Sequence, residues 1–181
     1  MNTRSTTLFH KIDLWEWRIC QVFNQYARIQ PFLYSMRLVS RLGDGLFWYG
    51  LMLAMPLLYG WHGFSITLKM ALIGLGCTLI YKGLKQTLGR QRPYLSCQQI
   101  NCQMPPLDYY SFPSGHTLHA VAFCTLVATY APELWLLTSI FTCLVALSRV
   151  VLGLHYPSDV LAGAVIGYSL ASASLVIFPL Q

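Results

Sequence analysis

An all-α membrane bundle is the fold class this sequence predicts, and three observations predict it. Of 181 residues, 55% are hydrophobic and only 10% are charged, against about a quarter charged in an ordinary soluble domain. The apolar residues gather into five long segments. Three polar clusters interrupt them, and each cluster falls at the end of an apolar segment, where a helix would leave the bilayer.

Residues 12–30 come first. Ile12, Trp15, Ile19, Val22, Phe23, Tyr26 and Ile29 recur at helical spacing, with Glu16, Arg18, Gln21, Gln25 and Arg28 between them. That pattern suits an amphipathic helix lying in the interface, with a sixth, polar span as the alternative. No clean apolar core of a signal peptide is visible there. Residues 1–45 are therefore set apart as an N-terminal interfacial segment, and 46–181 form the transmembrane domain.

The five spans run over 46–61, 64–81, 117–130, 134–152 and 160–178. Several fall short of the roughly 20 residues that cross the hydrocarbon layer, so helices extend into polar flanks or the bilayer thins. Trp48, Tyr49, Trp61, Tyr81, Tyr130 and Trp135 sit near segment ends, as interfacial aromatics do. Lys69, inside the second span, is expected to snorkel. Gly163 and Gly167 form a G-x-x-x-G pair that lets helices approach closely. Two crossings precede the 82–116 loop and four precede the 153–158 loop, so all three clusters meet on one side.

The clusters read Lys85-x6-Arg92-Pro93, Pro113-Ser114-Gly115-His116 and Ser148-Arg149-x5-His155-x3-Asp159. Lys85 and Arg92 are about two helical turns apart and face one pocket. Arginine offers phosphate a planar fork and lysine a point charge, although a basic edge snorkelling to headgroups would read the same. Ser114 is a favoured N-cap and Gly115 permits close approach. A helix starting there presents free N–H groups to an anion, with His116 in its first turn. Asp159 opens the last helix and reaches back to one nitrogen of His155, leaving the other free to attack. Its alternative is a carboxylate favoured by the helix dipole. Together these are the parts of a phosphate pocket holding a nucleophile and an acid. His119 shares a face with His116 and reads as a packed helix residue, while His10 and His62 look interfacial.

In order and spacing the clusters resemble the type 2 phosphatidic acid phosphatases, the membrane branch of a superfamily that also contains vanadium haloperoxidases. The motif resemblance covers residues 85–159, without substitution. It implies that His155 attacks phosphorus, Asp159 orients it, and His116 protonates the leaving oxygen and then activates water. It implies that Lys85, Arg92 and Arg149 hold the phosphoryl oxygens, helped by Ser114 and the Gly115 amide. No metal or other cofactor is expected, since these cations neutralise the developing charge and no carboxylate cluster is spaced for magnesium. The implied activity is removal of phosphate from a lipid phosphate or diphosphate, with undecaprenyl diphosphate favoured. Phosphatidic acid, phosphatidylglycerophosphate or transfer to a lipid acceptor are alternatives. A non-catalytic lipid binder would be expected to lose His155, His116 or Asp159, and all three are present.

The partners expected are a lipid substrate and the bilayer. A net charge of +6 without a continuous basic stripe argues against nucleic acid. Oligomeric state is left open. Positive charge near the N-terminus would put the catalytic loops in the cytoplasm, whereas the resemblance implies the periplasmic face of a bacterial inner membrane. Cys97 and Cys102 share one loop and fit a disulfide, which persists in an oxidising compartment; two free thiols are the alternative.

Overall fold

The computed structural model describes the backbone over residues 3–177 and side chains from residue 12 onward. The side chain of His10 and the final residue of the expected last span, Phe178, lie outside the described residues. Among the described residues all regular structure is helical. The order is α1 (Thr3–Gln25), α2 (Gln30–Arg41), α3 (Phe47–Leu88), the short α4 (Pro93–Ser96), α5 (Gly115–Tyr130), α6 (Trp135–Val151) and α7 (Pro157–Ile177).

α3 holds the first two expected spans as a hairpin. Gly60, at φ 58° and ψ −132°, turns the chain back on itself. Thr67 Oγ1 then donates to Met52 O at 2.6 Å, a contact that a straight helix of that length forbids. Gly63 sits so close to the Met55 carbonyl that a Cβ there would stand 2.0 Å from its oxygen. The second arm runs on to Leu88 and stops at Gly89, a left-handed residue whose N–H bonds Lys85 O. Lys85 is therefore on a helix, not in a loop.

α5 is the central helix, packed on α3, α6 and α7, with Leu118, Phe123, Leu126 and Val127 in its core faces. The G-x-x-x-G pair of α7 brings the two helices together. A Cβ on Gly163 would stand 2.6 Å from Ser114 O, and one on Gly167 2.2 Å from Leu118 O. Side chains at these positions would push the N-terminus of α5 away from that of α7. Trp48, Phe123 and Phe141 fill the space between α3, α5 and α6.

Leucines and aromatics cover the outside, with Leu53, Leu57 and Trp61 on α3, Trp135 and Leu136 on α6, and Leu161 and Val165 on α7 all exposed. Water would not tolerate so large an apolar surface; lipid does. Stretches 30–96, 132–151 and 157–177 include helices long and apolar enough to cross a membrane.

α1 turns its apolar stripe outward and buries its polar stripe against the bundle. Glu16, Cys20, Asn24 and Ala27 are buried against the protein, while Ile12, Trp15 and Val22 are exposed. Asn24 ties three pieces together, donating to Asn101 O and Val151 O and accepting from Asn101 N. α2 packs Leu33 and Met36 on Val151, Leu152 and Leu154.

Two expectations are corrected. Cys97 and Cys102 are free thiols. Cys97 Sγ lies 3.3 Å from Gln21 Nε2 on α1, while Cys102 is exposed and its Sγ reaches Met104 O, so the two sulfurs are engaged in different directions. Lys69 is buried and does not snorkel past the protein, because Nζ ends 2.8 Å from the hydroxyl of Tyr130.

Candidate active site

Both arms of α3, the first half of α5, the end of α6 and the loops carrying Arg92, Asp108 and His155 surround a cavity of about 450 Å³. Lys85, Arg92, Gly115, His116, Arg149 and His155 line its polar end, and Met52, Met70, Leu75 and Phe123 line its apolar depth. The loops that the even number of crossings puts on one side do meet. Arg92 Nη1 donates to Leu154 O at 2.8 Å and lies 3.4 Å from His155 Nε2.

His155 is fixed from behind by its own chain. Gly153, at φ 73°, turns the chain after α6, and a Cβ there would stand 2.6 Å from Asn101 O. The amides of Leu154 and His155 both bond Arg149 O. Pro157 then starts α7, and Asp159 Oδ2 closes its first turn by accepting from Tyr156 N at 2.9 Å. The same oxygen lies 3.5 Å from His155 Nδ1, a buried nitrogen with no hydrogen-bond partner. The pair faces each other just outside hydrogen-bond geometry.

Burial, and then the charges of Arg92, Arg149 and Lys85, push the His155 imidazole well below its ordinary value. Both effects favour the neutral ring over the imidazolium.

Arg90, a residue to which the sequence assigned no role, holds Asp159. Its Nη1 donates to Asp159 Oδ1 at 2.5 Å and to Ser158 Oγ at 2.7 Å, and its Nη2 to Asp13 and Glu16 at 2.6 Å each. The guanidinium lies over the Tyr156 ring, 4.0 Å from the centroid. Glu16 also takes the Ser158 amide and hydroxyl. α1 thus reaches the back of the site through two carboxylates.

The cations meet a carboxylate that the sequence did not single out either. Lys85 Nζ donates to both oxygens of Asp108 (2.6 and 2.8 Å) and to Tyr110 O (3.0 Å). Arg92 Nη2 donates to Asp108 Oδ1 at 2.7 Å, and its Nε to the Asp108 carbonyl. Burial raises the Asp108 carboxyl, but Lys85 and Arg92 outweigh burial and hold it below the usual range. The three ammonium donors of Lys85 are thereby all committed. Arg149 bonds Ser40 Oγ through Nη1, and its Nε is buried without a partner.

His116 occupies the first turn of α5, with Nε2 bonded to Asp44 Oδ1. Gly115 lines the cavity. Ser114 is buried with its hydroxyl on Thr117 Oγ1 and its amide on Asp159 O, so it braces the start of α5 against α7. The Phe112–Pro113 peptide just before it is cis. His119 borders the cavity but is held within the bundle, Nδ1 against Gly115 O and Nε2 against Thr78 Oγ1.

A family model described as the PAP2 superfamily matches residues 58–181. Over 84 residues the chain is 36% identical to an undecaprenyl-diphosphatase of Sulfolobus acidocaldarius, covering 46% of this chain and 41% of that one. Over 129 residues it is 29% identical to a lipid A 1-phosphatase of Rhizobium johnstonii, covering 69% and 51%. The chain thus spans about half the length of these curated relatives, or less. Its fold superposes with a TM-score of 0.73, at 22% identity, on the crystal structure of a transmembrane PAP2 type phosphatidylglycerolphosphate phosphatase from Bacillus subtilis, covering 96% and 90% of the two chains. The matched region contains all three clusters gathered around the cavity, on helices that share their arrangement with a solved membrane protein. This chain is a multi-pass membrane member of the PAP2 superfamily.

Proposed function

We propose that the protein is an integral membrane lipid phosphatase that forms a phosphohistidine on His155. The observation that carries this reading is the grip of Lys85 and Arg92 on the Asp108 carboxylate, beside His155. A carboxylate oxygen is a fair stand-in for a phosphoryl oxygen, with the same charge sign and the same demand for charge-assisted donors. A phosphoryl group placed there has the His155 lone pair behind it and His116 and Arg149 alongside.

The roles follow from chemistry. His155 Nε2 attacks phosphorus while the Asp159 carboxylate accepts a hydrogen bond from Nδ1–H and stays ionised. His116 gives a proton to the departing oxygen, then takes one from the water that hydrolyses the phosphohistidine. Lys85, Arg92, Arg149 and the Gly115 amide neutralise the equatorial oxygens. These cations are sufficient without a metal ion. The apolar half of the cavity, between the arms of α3 and α5, receives the first part of a prenyl or acyl chain.

Undecaprenyl diphosphate is the favoured substrate, supported by the similarity to an undecaprenyl-diphosphatase. Catalysis is assigned to the periplasmic face of a bacterial inner membrane. Purified protein in detergent with chelator should release phosphate from undecaprenyl diphosphate faster than from phosphatidic acid or phosphatidylglycerophosphate. His155→Ala should abolish release, and an acid-labile, alkali-stable phosphoenzyme should be trapped only in the unsubstituted protein. Release surviving His155→Ala would overturn the mechanism, and a different rate order would replace the substrate. Phosphate passed to an added lipid acceptor in preference to water would make the protein a phosphotransferase.

A further inference from the structure

Asp44 lies outside the region that the family match covers, on the bend Leu42–Leu46 between α2 and α3. Local backbone brings it into the cavity. Gly45 has φ 138°, a conformation that disfavours any side chain. Gly43 touches α6 so closely that a Cβ there would stand 2.9 Å from Val145 Cγ2. Between these two glycines the Asp44 carboxylate faces the cavity and bonds His116 Nε2.

The electrostatic setting gives that contact a purpose. Lys85 on α3, Arg92 before α4 and Arg149 on α6 line the cavity with His116, as do His155 and Asp108, and His119 follows one turn along α5. A general acid must carry a proton, and each nearby cation opposes another positive charge. Asp108 is already engaged by Lys85 and Arg92. Asp44 is the carboxylate in direct contact with the imidazole.

Resting on the phosphatase reading above, we propose that Asp44 is a positioning residue for His116: it keeps hydrogen on Nε2, directs Nδ1 toward the scissile bond and stabilises the imidazolium. In the first half-reaction the His155 Nε2–P bond forms as the P–O bond to the lipid breaks, and the proton on His116 Nδ1 goes to the leaving oxygen. In the second, neutral His116 Nδ1 accepts a proton from water as its oxygen bonds phosphorus and the N–P bond breaks. Asp44 keeps its charge throughout and exchanges no proton. This is the base-and-orienter relation that Asp159 has to His155, repeated on the acid.

The test compares Asp44→Asn and Asp44→Glu in the full chain, purified in detergent, with a lipid phosphate and with p-nitrophenyl phosphate. Thermal unfolding serves as the folding control. The alkoxide released by a lipid monophosphate such as phosphatidic acid, the lipid in this test, needs a proton to leave, whereas p-nitrophenolate leaves without one. Asp44→Asn should therefore lower kcat for the lipid by roughly a hundredfold while the first-turnover burst of p-nitrophenol falls much less. The alkaline limb of kcat should move to lower pH, because an unsupported imidazolium loses its proton sooner. Asp44→Glu should recover part of both. Equal losses for the two leaving groups, or an unmoved alkaline limb, would overturn the proposal. If Asp44→Asn fails to fold, Asp44→Glu is judged by the same two readouts. An inactive unsubstituted protein would sink the phosphatase reading itself, and this inference with it.

Discussion

Asp108→Asn should weaken the fold and strengthen phosphate binding, two effects of opposite sign from one substitution. Asp108 accepts three charge-assisted bonds through its side chain, two from Lys85 and one from Arg92. A phosphate group must break them, since Lys85 has no other donor to offer. Hydrogen bonds to charged groups contribute about 1.5–3 kcal/mol each when shielded. The Asp108 side chain is 36% exposed, and exposed pairs contribute about 0–1 kcal/mol. A middle value near 1 kcal/mol per contact gives about 3 kcal/mol for the set. Asparagine keeps one weak acceptor, so about 2 kcal/mol of competition is removed, equivalent to a roughly 10- to 30-fold gain in affinity.

Isothermal titration of purified protein with inorganic phosphate or orthovanadate reads this directly and needs no turnover. The expected result is a 10- to 30-fold lower Kd in Asp108→Asn, together with a lower unfolding temperature of the ligand-free protein. Lys85 and Arg92 would then be buried without a counterion, which costs stability until an anion arrives. A weaker phosphate affinity would refute the reasoning. It would mean that Asp108 aims Lys85 and Arg92 at the substrate and is not displaced by it. An unchanged Kd would also refute it, because a group holding those donors cannot be neutral to their other ligand.

Other substitutions test the frame around the site. Arg90→Lys should cost about 3–5 kcal/mol of stability and most activity, since a single ammonium cannot span Asp159, Ser158, Asp13 and Glu16; near-normal thermal unfolding would show that the network is incidental. Gly167→Val should lower thermal stability by about 1–3 kcal/mol and separate His116 from His155, because its Cβ would meet the Leu118 carbonyl at 2.2 Å; unchanged kcat would contradict that coupling. His155 gives a pH signature. Its folded value lies below the ordinary 6.5, so between those two values the unfolded chain binds more protons than the folded one. The contribution is complete above about pH 6.5 and is lost as pH falls through that interval. Unfolding temperature in detergent should drop on acidification below about pH 6.5, less steeply in His155→Asn, and equal slopes would assign the effect elsewhere.

Much of the site was legible in the sequence because its signals are local. A cation on the last turns of a helix, a serine-glycine-histidine at a helix start and a histidine four before an aspartate all reveal themselves within one segment. The spans also give parity, which brings distant clusters to one side. What the sequence hid were the partners. Asp44 is 72 residues from His116, and Glu16 is 74 from Arg90; no periodicity links such pairs. α1 was half legible, for a physical reason. Its apolar stripe reads as a lipid-facing surface, and in lipid an apolar stripe loses nothing by staying outside. Its polar stripe, Glu16, Cys20 and Asn24, is the side that needs protein, but which protein groups it meets is not written in its periodicity. The loop cysteines misled: close spacing in sequence does not make two side chains face each other.

Scarcity was the signal that could have found those partners. The chain has six acidic residues. Asp159, Asp13 and Glu16 meet at Arg90, Asp108 meets Lys85 and Arg92, and Asp44 meets His116. The exception is Glu133, which bonds the Tyr59 hydroxyl at the other end of the bundle. A polar end assembled from Lys85, Arg90, Arg92 and Arg149 in an apolar bundle would repel itself apart, and desolvation makes each cation costly. Carboxylates on separate segments solve this, and they divide into two kinds. Asp159, Asp13 and Glu16 surround Arg90 behind His155, and α1 docks through them. Asp108 sits in front on a loop and is more than a third exposed. The buried set keeps His155 in place, and the exposed one holds the cations together; in the proposed reaction an anion of higher charge replaces it. A phosphate dianion can displace one loop carboxylate, but it cannot displace three carboxylates locked behind a helix. On the proposed mechanism, the site is rigid where the attacking nitrogen would be aimed and yielding where a phosphate would enter.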